Sequence, residues 1–461
     1  MSQRYERAHQ SIAEQIELLE RRGMDLSGVN ATELLTRVGY FRLSGYWHPF
    51  RDLTPCPAGG NGSAPRFLPG TTLRQIESIY EFDRELRFRV FDAIETIESA
   101  LRFQLGYHLG RIGVFAHRDP RNFANGFVEA AGPRSHMHVL RRIDAAEARS
   151  HEDFVTHFRR KYGGPLPVWM APEIMSFGEL IRLYQGLNTS LRNTIAAEFG
   201  IRNAAQVGDG ATLATWLNHL RTVRNVCAHH SRLWNRALTT PIGLPRQIPA
   251  LMHLTEARAR SRIYATITIL RFMLATIKPA STWAEHITAF VVERTRASSL
   301  DISTLGFPVA WSTQPIWATS FVREHAEITE HDELLGRLPS VSRSAVRTLL
   351  FPRNNPSTQK SRIRALMIQG KLLSLPIGAQ RAFPTFQFVA GSSLFQDRVF
   401  SINLELIGQT VSTDERERRS WVAARWWVTP GRYGETPLEA LAAKTLRAVP
   451  WSEFPRPSAG R

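Results

Sequence analysis

Apolar residues recur along this chain with a helical period up to about residue 300, and the pattern changes beyond it. In "RYERAHQSIAEQIELLERRG", Ile12, Ile16 and Leu19 fall on one face, and the run stops near Gly23. Asn30 stands where an N-cap is needed, ahead of "ATELLTRVGYFRLSGYWHPF", which begins helically and turns aromatic. The segment "CPAGGNGSAPRFLPG" is rich in Gly and Pro and reads as a surface loop. From Thr72 to Gly110 the period is too long and too regular for anything but one helix. Further helices are expected near 150–162, 173–187, 190–199, 211–235, 255–277 and 283–296, and together they make a helical bundle.

Near residue 300 the chain becomes irregular in "SSLDISTLGFPVAWSTQPIW", which places a domain boundary between about 300 and 320. Beyond it "LPSVSRSAVRTLLF" and "KSRIRALMIQG" are helical. In "KLLSLPIGAQRAFPTFQF" two short apolar runs around a glycine predict a β-hairpin. That order resembles a small winged-helix or helix-turn-helix unit. The tail "WVAARWWVTPGRYGETPLEALAAKTLRAV" reads as two short helices joined by a Pro/Gly turn, and no internal repeat of fixed period is visible. The expected fold is mainly α: a helical bundle over residues 1–320, then a smaller α+β domain, winged-helix-like plus helical, over 321–461.

Composition sharpens this picture. The chain has 461 residues, 43% of them hydrophobic, enough for two or three packed domains at roughly 150 residues each. Its net charge of +17 favours acidic partners, nucleic acid before an anionic membrane surface. Lysine occurs only at Lys161, Lys278, Lys360, Lys371 and Lys444, so nearly all of that charge is arginine. A genome-wide bias and a demand for bidentate phosphate contacts both account for it. Cys56 and Cys227 are too few for a disulfide framework, and no C-x-x-C pair is present to hold zinc. The polar start "MSQRYERAHQ" lacks the apolar core of a signal peptide, and "IYATITILRFMLATI", interrupted by Arg271, falls short of a membrane span. A cytoplasmic protein without membrane contact is expected.

The chemistry concentrates in "RTVRNVCAHHSRLWNR", residues 221–236. On a continuous helix, Leu213, Trp216, Leu220, Val223, Cys227 and Trp234 gather in one arc of about 80°, and Asn218, Arg221, Asn225, His229 and Arg232 gather in another of similar width. One face packs and the other presents two arginines, two asparagines and a histidine. Asn225 and His229 stack four residues apart, so the amide can fix the imidazole's tautomer. Arg224 lies at the edge of that arc, and His230 points elsewhere by about 100°. Such a group suits RNA cleavage without a metal. The histidine takes the proton of a ribose 2′-hydroxyl or gives one to the leaving 5′-oxygen, while the arginine holds the scissile phosphate. One copy alone would be an incomplete site. The plain alternative is a solvated helix-surface histidine, and metal binding by His229 and His230 is disfavoured because adjacent residues on a helix diverge.

The arrangement Arg-Asn-x-x-x-His in "RNVCAHH", followed by "SRLWN", resembles the signature of HEPN ribonucleases. With "VGYFRLSGYWHPF", "IYEFDRELRFRVFDAIETIESALR", "PVWMAPEIMSFGELIRLYQGL" and "LGFPVAWSTQPIW", the chain over about residues 1–320 resembles the Abi-like family of bacterial abortive-infection proteins (the AbiD/AbiF type). The resemblance implies an all-helical HEPN domain, metal-independent RNase activity with no cofactor, and a role in phage defence or as a toxin. It also implies a composite site made by pairing two motifs, across a homodimer or within one chain. Carried onto this sequence, Arg224 and His229 are the catalytic pair and Asn225 their support, with His230 in the second rank. Arg221 and Arg232 are possible supporting residues.

A second motif in "RFQLGYH" would use Arg102 and His108, but His108 shares an arc with Val90, Ile97 and Leu101 and reads better as a core histidine. Glu95, Glu98 and Arg102 share a face; they either support the active-site arginine by ion pairing or form a solvated stripe. In "YFRLSGYW", Tyr40, Phe41, Tyr46 and Trp47 would stack bases while Arg37 and Arg42 hold phosphates, against the alternative that these aromatics are core. The last third, with "FPTFQF", "WVAARWWVTP" and "GETPLEAL", resembles the toxin-binding domain of Xre/ParS-type antitoxins. That implies a regulator joined to a toxin-like nuclease, with DNA or toxin contact through the C-terminal domain; Arg343, Arg347, Arg362 and Arg364 would be its DNA-phosphate contacts, against the stronger alternative that they are plain helix-surface charges. Two readings follow: an endoribonuclease of phage defence acting on RNA, with a noncoding RNA as a further conceivable partner, or a non-cleaving RNA- and DNA-binding regulator of a toxin–antitoxin or defence locus.

Overall fold

The computed structural model describes residues 8–52, 66–203, 207–240, 242–243, 248–254, 260–298, 300–322, 330–331, 334–377, 380–388, 393–409, 412–430 and 435–442. Cys56 lies outside them. The chain divides into two compact units, residues 1–325 and 326–461.

In the first unit α1 (Ile12–Arg21) starts at a capping box, Ser11 accepting from the Glu14 main-chain N–H while Glu14 accepts from that of Ser11. Asn30 caps α2 (Ala31–Val38), and Gly39, at φ +88°, turns the chain directly into α3 (Tyr40–Trp47). Thr72 caps α4 (Leu73–Gly110), a helix of 38 residues and roughly 57 Å. The helices α3, α8 (Phe177–Gly186), α9 (Thr189–Glu198), α10 (Gly210–Ala228), α11 (Ile263–Ile277) and α12 (Trp283–Ser298) all pack on α4. Its buried row from Leu73 through Ile79, Leu86, Val90, Ile97 and Leu105 is the spine of the core. α5 (Asn125–Val128), α6 (His136–Arg149) and α7 (Asp153–Tyr162) lie between α4 and α8 in sequence.

Several expected boundaries move. The helix expected over 173–187 starts only at Phe177, because Pro172 sits in a tight turn and Ser176 with Glu179 builds a capping box at the true start. The helix expected over 211–235 ends at Ala228, and α6 has no counterpart in the sequence reading. In α11 nearly every residue is buried, and Arg271 answers the main-chain carbonyl of Ile316 at 3.3 Å with its guanidinium 5.5 Å from the Phe321 ring. Among the described residues no helix is long and apolar enough to cross a membrane.

The second unit holds β1 (Ser340–Ser342), α13 (Arg343–Leu350), α14 (Pro356–Ile368) and the hairpin strands β2 (Leu375–Ile377) and β3 (Gln380–Pro384). The sheet is antiparallel in the order β1-β3-β2, with Val341 opposite Phe383 and Pro376 opposite Arg381. Val346, Ile363, Met367, Leu372 and Phe383 form the small core beneath it. α15 (Ser393–Ile407), α16 (Thr413–Val428) and α17 (Pro437–Ala442) follow. A buried relay joins the two parts: the Gln387 amide donates to the Leu373 and Pro384 carbonyls, its oxygen accepts from Asn403, and the Asn403 oxygen accepts from the Trp427 indole at 3.0 Å. The whole chain is mainly α, with a small α+β part confined to the C-terminal unit.

Candidate active site

Asp209 starts α10 by accepting from the Thr212 main-chain N–H at 3.0 Å, and Leu213, Trp216, Leu220 and Val223 bury one side of the helix. His219, also fully buried, has Nε2 2.7 Å from the Thr266 hydroxyl and Nδ1 against the Thr240 carbonyl. Burial pushes its pKa down, which keeps it neutral and structural.

After Ala228 the helix closes on itself. The Ser231 N–H donates back to the Val226 carbonyl and the His230 N–H to that of Cys227, both at 2.9 Å, with His230 in left-handed backbone at φ +53°. This double reversed bond ordinarily has glycine at the left-handed position; a side chain there costs about 1–2 kcal/mol. The strain therefore sits on an exposed histidine of the motif.

What holds the turn lies far away in sequence. Asp83, completely buried on α4, accepts from the main-chain N–H groups of Leu233 (3.2 Å) and Trp234 (2.7 Å), from the Tyr46 hydroxyl (2.7 Å) and from Arg87 (2.5 Å). Burial pushes this carboxyl up from the usual carboxylate range, but every group within reach is a donor, so the site holds the anion. From α3, Arg42 donates to the His230 carbonyl at 2.7 Å and the Gly45 carbonyl accepts from Arg232. α3, α4 and the turn after α10 are thus one fastened body.

Arg224 sits one turn before that turn, 34% exposed, with Nε 3.8 Å from one oxygen of Glu98. The other Glu98 oxygen accepts from Arg102 at 2.6 Å, and Arg102 is anchored on the carbonyls of Pro172 and Met175. The Phe91 ring lies 5.9 Å from the Arg224 guanidinium. Arg224 Nη1 is 3.5 Å from the Asn225 side-chain oxygen, and Asn225, His229 and His230 are exposed. Beside them opens a cavity of about 630 Å³ lined by Arg37, Arg42, Arg84, Phe88, Ala228 and His230, among others. Cys227 also lines it, but burial pushes its thiol up to about 12, so it is no nucleophile at neutral pH.

The structure brings Arg224, Asn225, His229, His230, Glu98 and Arg102 together at the end of α10, and Glu98 and Arg102 form an ion-paired support rather than a solvated stripe. Arg221 packs instead on α8, where its side chain faces Gly178. Arg232, expected on the face of His229, has left the helix and is spent on Gly45. The base-stacking assignment fails for Tyr46 and Trp47: they are 1% and 0% exposed, Tyr46 bound to Asp83 and Trp47 packed edge-on against Tyr40 and Phe67. Tyr40 accepts from Arg22 at 2.9 Å, whereas Phe41 is 92% exposed. Arg37 is paired with Glu77 and Glu81, and Arg42 is bound to the turn while still lining the cavity. His108 is buried, 3.5 Å from Glu198. Sequence reasoning missed Asp83, Arg84 and Phe88; the exposed aromatic of Phe88 beside Arg84, 5.4 Å from its ring, was a signal available in "RELRF". Among the described residues no group of three or more His, Cys, Asp or Glu side chains is placed to hold a metal ion.

Residues 33–235 match the family model described as Abi-like protein, a span that runs from α2 to the turn after α10 and contains α3, α4, Asp83 and the whole Arg-Asn-x-x-x-His stretch. No curated protein and no solved structure matches the chain. The first unit therefore carries an Abi-like region, and the residues assembled at the end of α10 are all inside it.

Proposed function

We propose that this chain is an abortive-infection protein of bacterial phage defence whose first unit is a cytoplasmic HEPN-type endoribonuclease cutting RNA without a metal. The observation that carries this reading is the exposed Asn225, His229 and His230 edge beside Arg224, whose guanidinium faces Glu98, itself paired with Arg102. In the reaction the ribose 2′-hydroxyl attacks the adjacent phosphorus and the bond from phosphorus to the 5′-oxygen breaks. His229 of one copy takes the 2′ proton, and that of a second copy protonates the leaving oxygen. Arg224 neutralises the charge gathering on the phosphate. Asn225 supports the pair, its side-chain oxygen 3.5 Å from Arg224 Nη1, and His230 faces the substrate from the basic cavity beside it.

The exposure of the histidines and the single Arg-Asn-x-x-x-His in the chain support a site completed by a second copy. Phe103, Tyr107 and Trp169, each at least half exposed near Arg102, support an apolar face for that copy. The test incubates wild type, Arg224→Ala, His229→Ala and His230→Ala with end-labelled single-stranded RNA in EDTA, reading cleavage and gel retention. Cleavage by wild type with 2′,3′-cyclic phosphate ends, lost in Arg224→Ala and His229→Ala, supports the nuclease. Retention without cleavage by any of the four refutes it and leaves an RNA-binding protein.

A further inference from the structure

We infer that the C-terminal unit is a duplex-DNA-binding winged helix that lays α14 in the major groove. Three observations carry this, and none depends on the nuclease reading. The first is topology. Helical residues 334–337 are followed by β1, α13, α14, β2 and β3, with β1 and β2 flanking β3 in an antiparallel sheet. A two-helix unit with a five-residue connection, backed by a hairpin, is the arrangement that presents its second helix outward.

The second observation is charge. From Leu334 to Gln396 the sequence contains no Asp or Glu, although acidic residues fill 41 of the 461 positions overall. The same stretch holds Arg337, Arg343, Arg347, Arg353, Lys360, Arg362, Arg364, Lys371 and Arg381. A genome-wide preference for arginine over lysine does not remove carboxylates, so the imbalance belongs to this stretch, which spans β1 to β3. Among the described residues no carboxylate lies within ion-pair distance of Arg353, Lys360, Arg362 or Arg364, whereas Arg381 is used internally on Glu417.

The third is the face of α14. Ile363 and Met367 are buried in the small core, so the opposite side of the helix carries Ser357, Ser361, Arg364, Ala365 and, at its C-terminal end, Ile368, all exposed, with Lys360 and Arg362 on its two flanks. Small residues along the centre let the helix axis approach the base edges, and basic residues at the flanks reach phosphates on either side. The major groove of B-DNA admits an α-helix, but that of A-form RNA is too narrow, so the geometry favours duplex DNA over duplex RNA.

The experiment uses the full chain and a fluorescein-labelled 30-base-pair random-sequence DNA duplex, read by anisotropy over a salt series. Wild type is expected to bind in the micromolar range at moderate salt. The Lys360→Ala/Arg362→Ala/Arg364→Ala variant should lose at least tenfold in affinity, and the slope of log affinity against log salt should fall by about 2–3, at roughly 0.9 for each phosphate no longer neutralised. Ser361→Glu, at an exposed position that leaves the fold intact, should also weaken binding at least tenfold. Arg418→Ala, an exposed arginine of α16, should bind like wild type. The inference is overturned if the triple variant and Ser361→Glu bind within twofold of wild type. It is equally overturned if an A-form RNA duplex of the same length binds as tightly and responds to the same substitutions.

Discussion

Replacing Asp83 by Asn tests whether one buried carboxylate fastens the motif's turn to the bundle. The substitution keeps size and one acceptor oxygen but removes the charge facing Arg87, whose side chain is 6% exposed and 2.5 Å away. Breaking a buried pair by removing one partner costs about 3–5 kcal/mol, and because the amide oxygen can still serve the Trp234 N–H the lower end, about 3 kcal/mol, applies here. The whole cost falls on α3, α4 and residues 231–234, which share this carboxylate directly or through Arg42 and Arg232. Hydrogen exchange read by mass spectrometry on peptides covering 79–90 and 228–236 should accelerate by about a hundredfold, since each 1.4 kcal/mol is a factor of ten. The double variant Asp83→Asn/Arg87→Met removes the stranded cation and should recover about half of that loss. If the proposed nuclease reading holds, RNA cleavage should fall more than tenfold in Asp83→Asn although Arg224 and His229 are untouched, with RNA retention falling less. Exchange within tenfold of wild type in both peptides would show that the turn is held by something else and refute the reasoning.

Three further outcomes follow from the same structure. His230→Gly should stabilise the protein by about 0.5–1 kcal/mol in urea unfolding, because relief of the left-handed strain at φ +53° exceeds the added chain entropy, while on the proposed function the missing ring should lower RNA retention. His117 is 1% exposed, and burial, with Arg118 and His136 beside it, pushes its pKa from 6.5 down to about 4. The unfolded chain therefore takes up this proton first, so the stability contributed is complete above pH 6.5 and declines as pH falls toward 4; His117→Phe should reduce the loss between pH 7 and pH 4.5 by about 2–3 kcal/mol, read from urea midpoints. Gly208→Ala would bring a Cβ to 1.8 Å from the Asn193 carbonyl oxygen, a main-chain atom of α9, and should cost at least about 2 kcal/mol in thermal unfolding, more than Gly186→Ala, whose added atom meets the Phe127 side chain that can turn away.

Local chemistry made much of this molecule legible. Asn30 and Thr72, standing where the sequence starts its second helix and its long run, each accept the main-chain N–H that their side chains are built to accept, and the Gly between two apolar runs in "SLPIGAQRAF" predicts the β2–β3 hairpin. Periodicity misled where the stop signal was unconventional. No glycine or proline closely follows Ala228, so the helical arc is expected to run to residue 235, while in the structure His230 takes the left-handed position and turns Arg232 toward α3. α6 was invisible for the opposite reason: only His136, Val139 and Ile143 of its residues are buried, too thin a stripe to stand out among arginines and acids.

The deepest loss is of a different kind. Asp83 occupies an apolar row of α4 as a lone carboxylate and looks like an error in the pattern until its donors appear, two of them 150 and 151 residues downstream. Such a group announces itself only as a violation, since nothing in the local sequence says which main chain it serves. Tyr46 and Trp47 fail by the same logic. Their density suggested a stacking surface, but a phenol oriented on Asp83 fixes α3 to α4, the indole is wedged between Tyr40 and Phe67 in the core, and Arg42 of α3 in turn holds the carbonyl of His230. The residues proposed to do chemistry are therefore readable from their own stretch, whereas the residues that aim them are readable only from the fold.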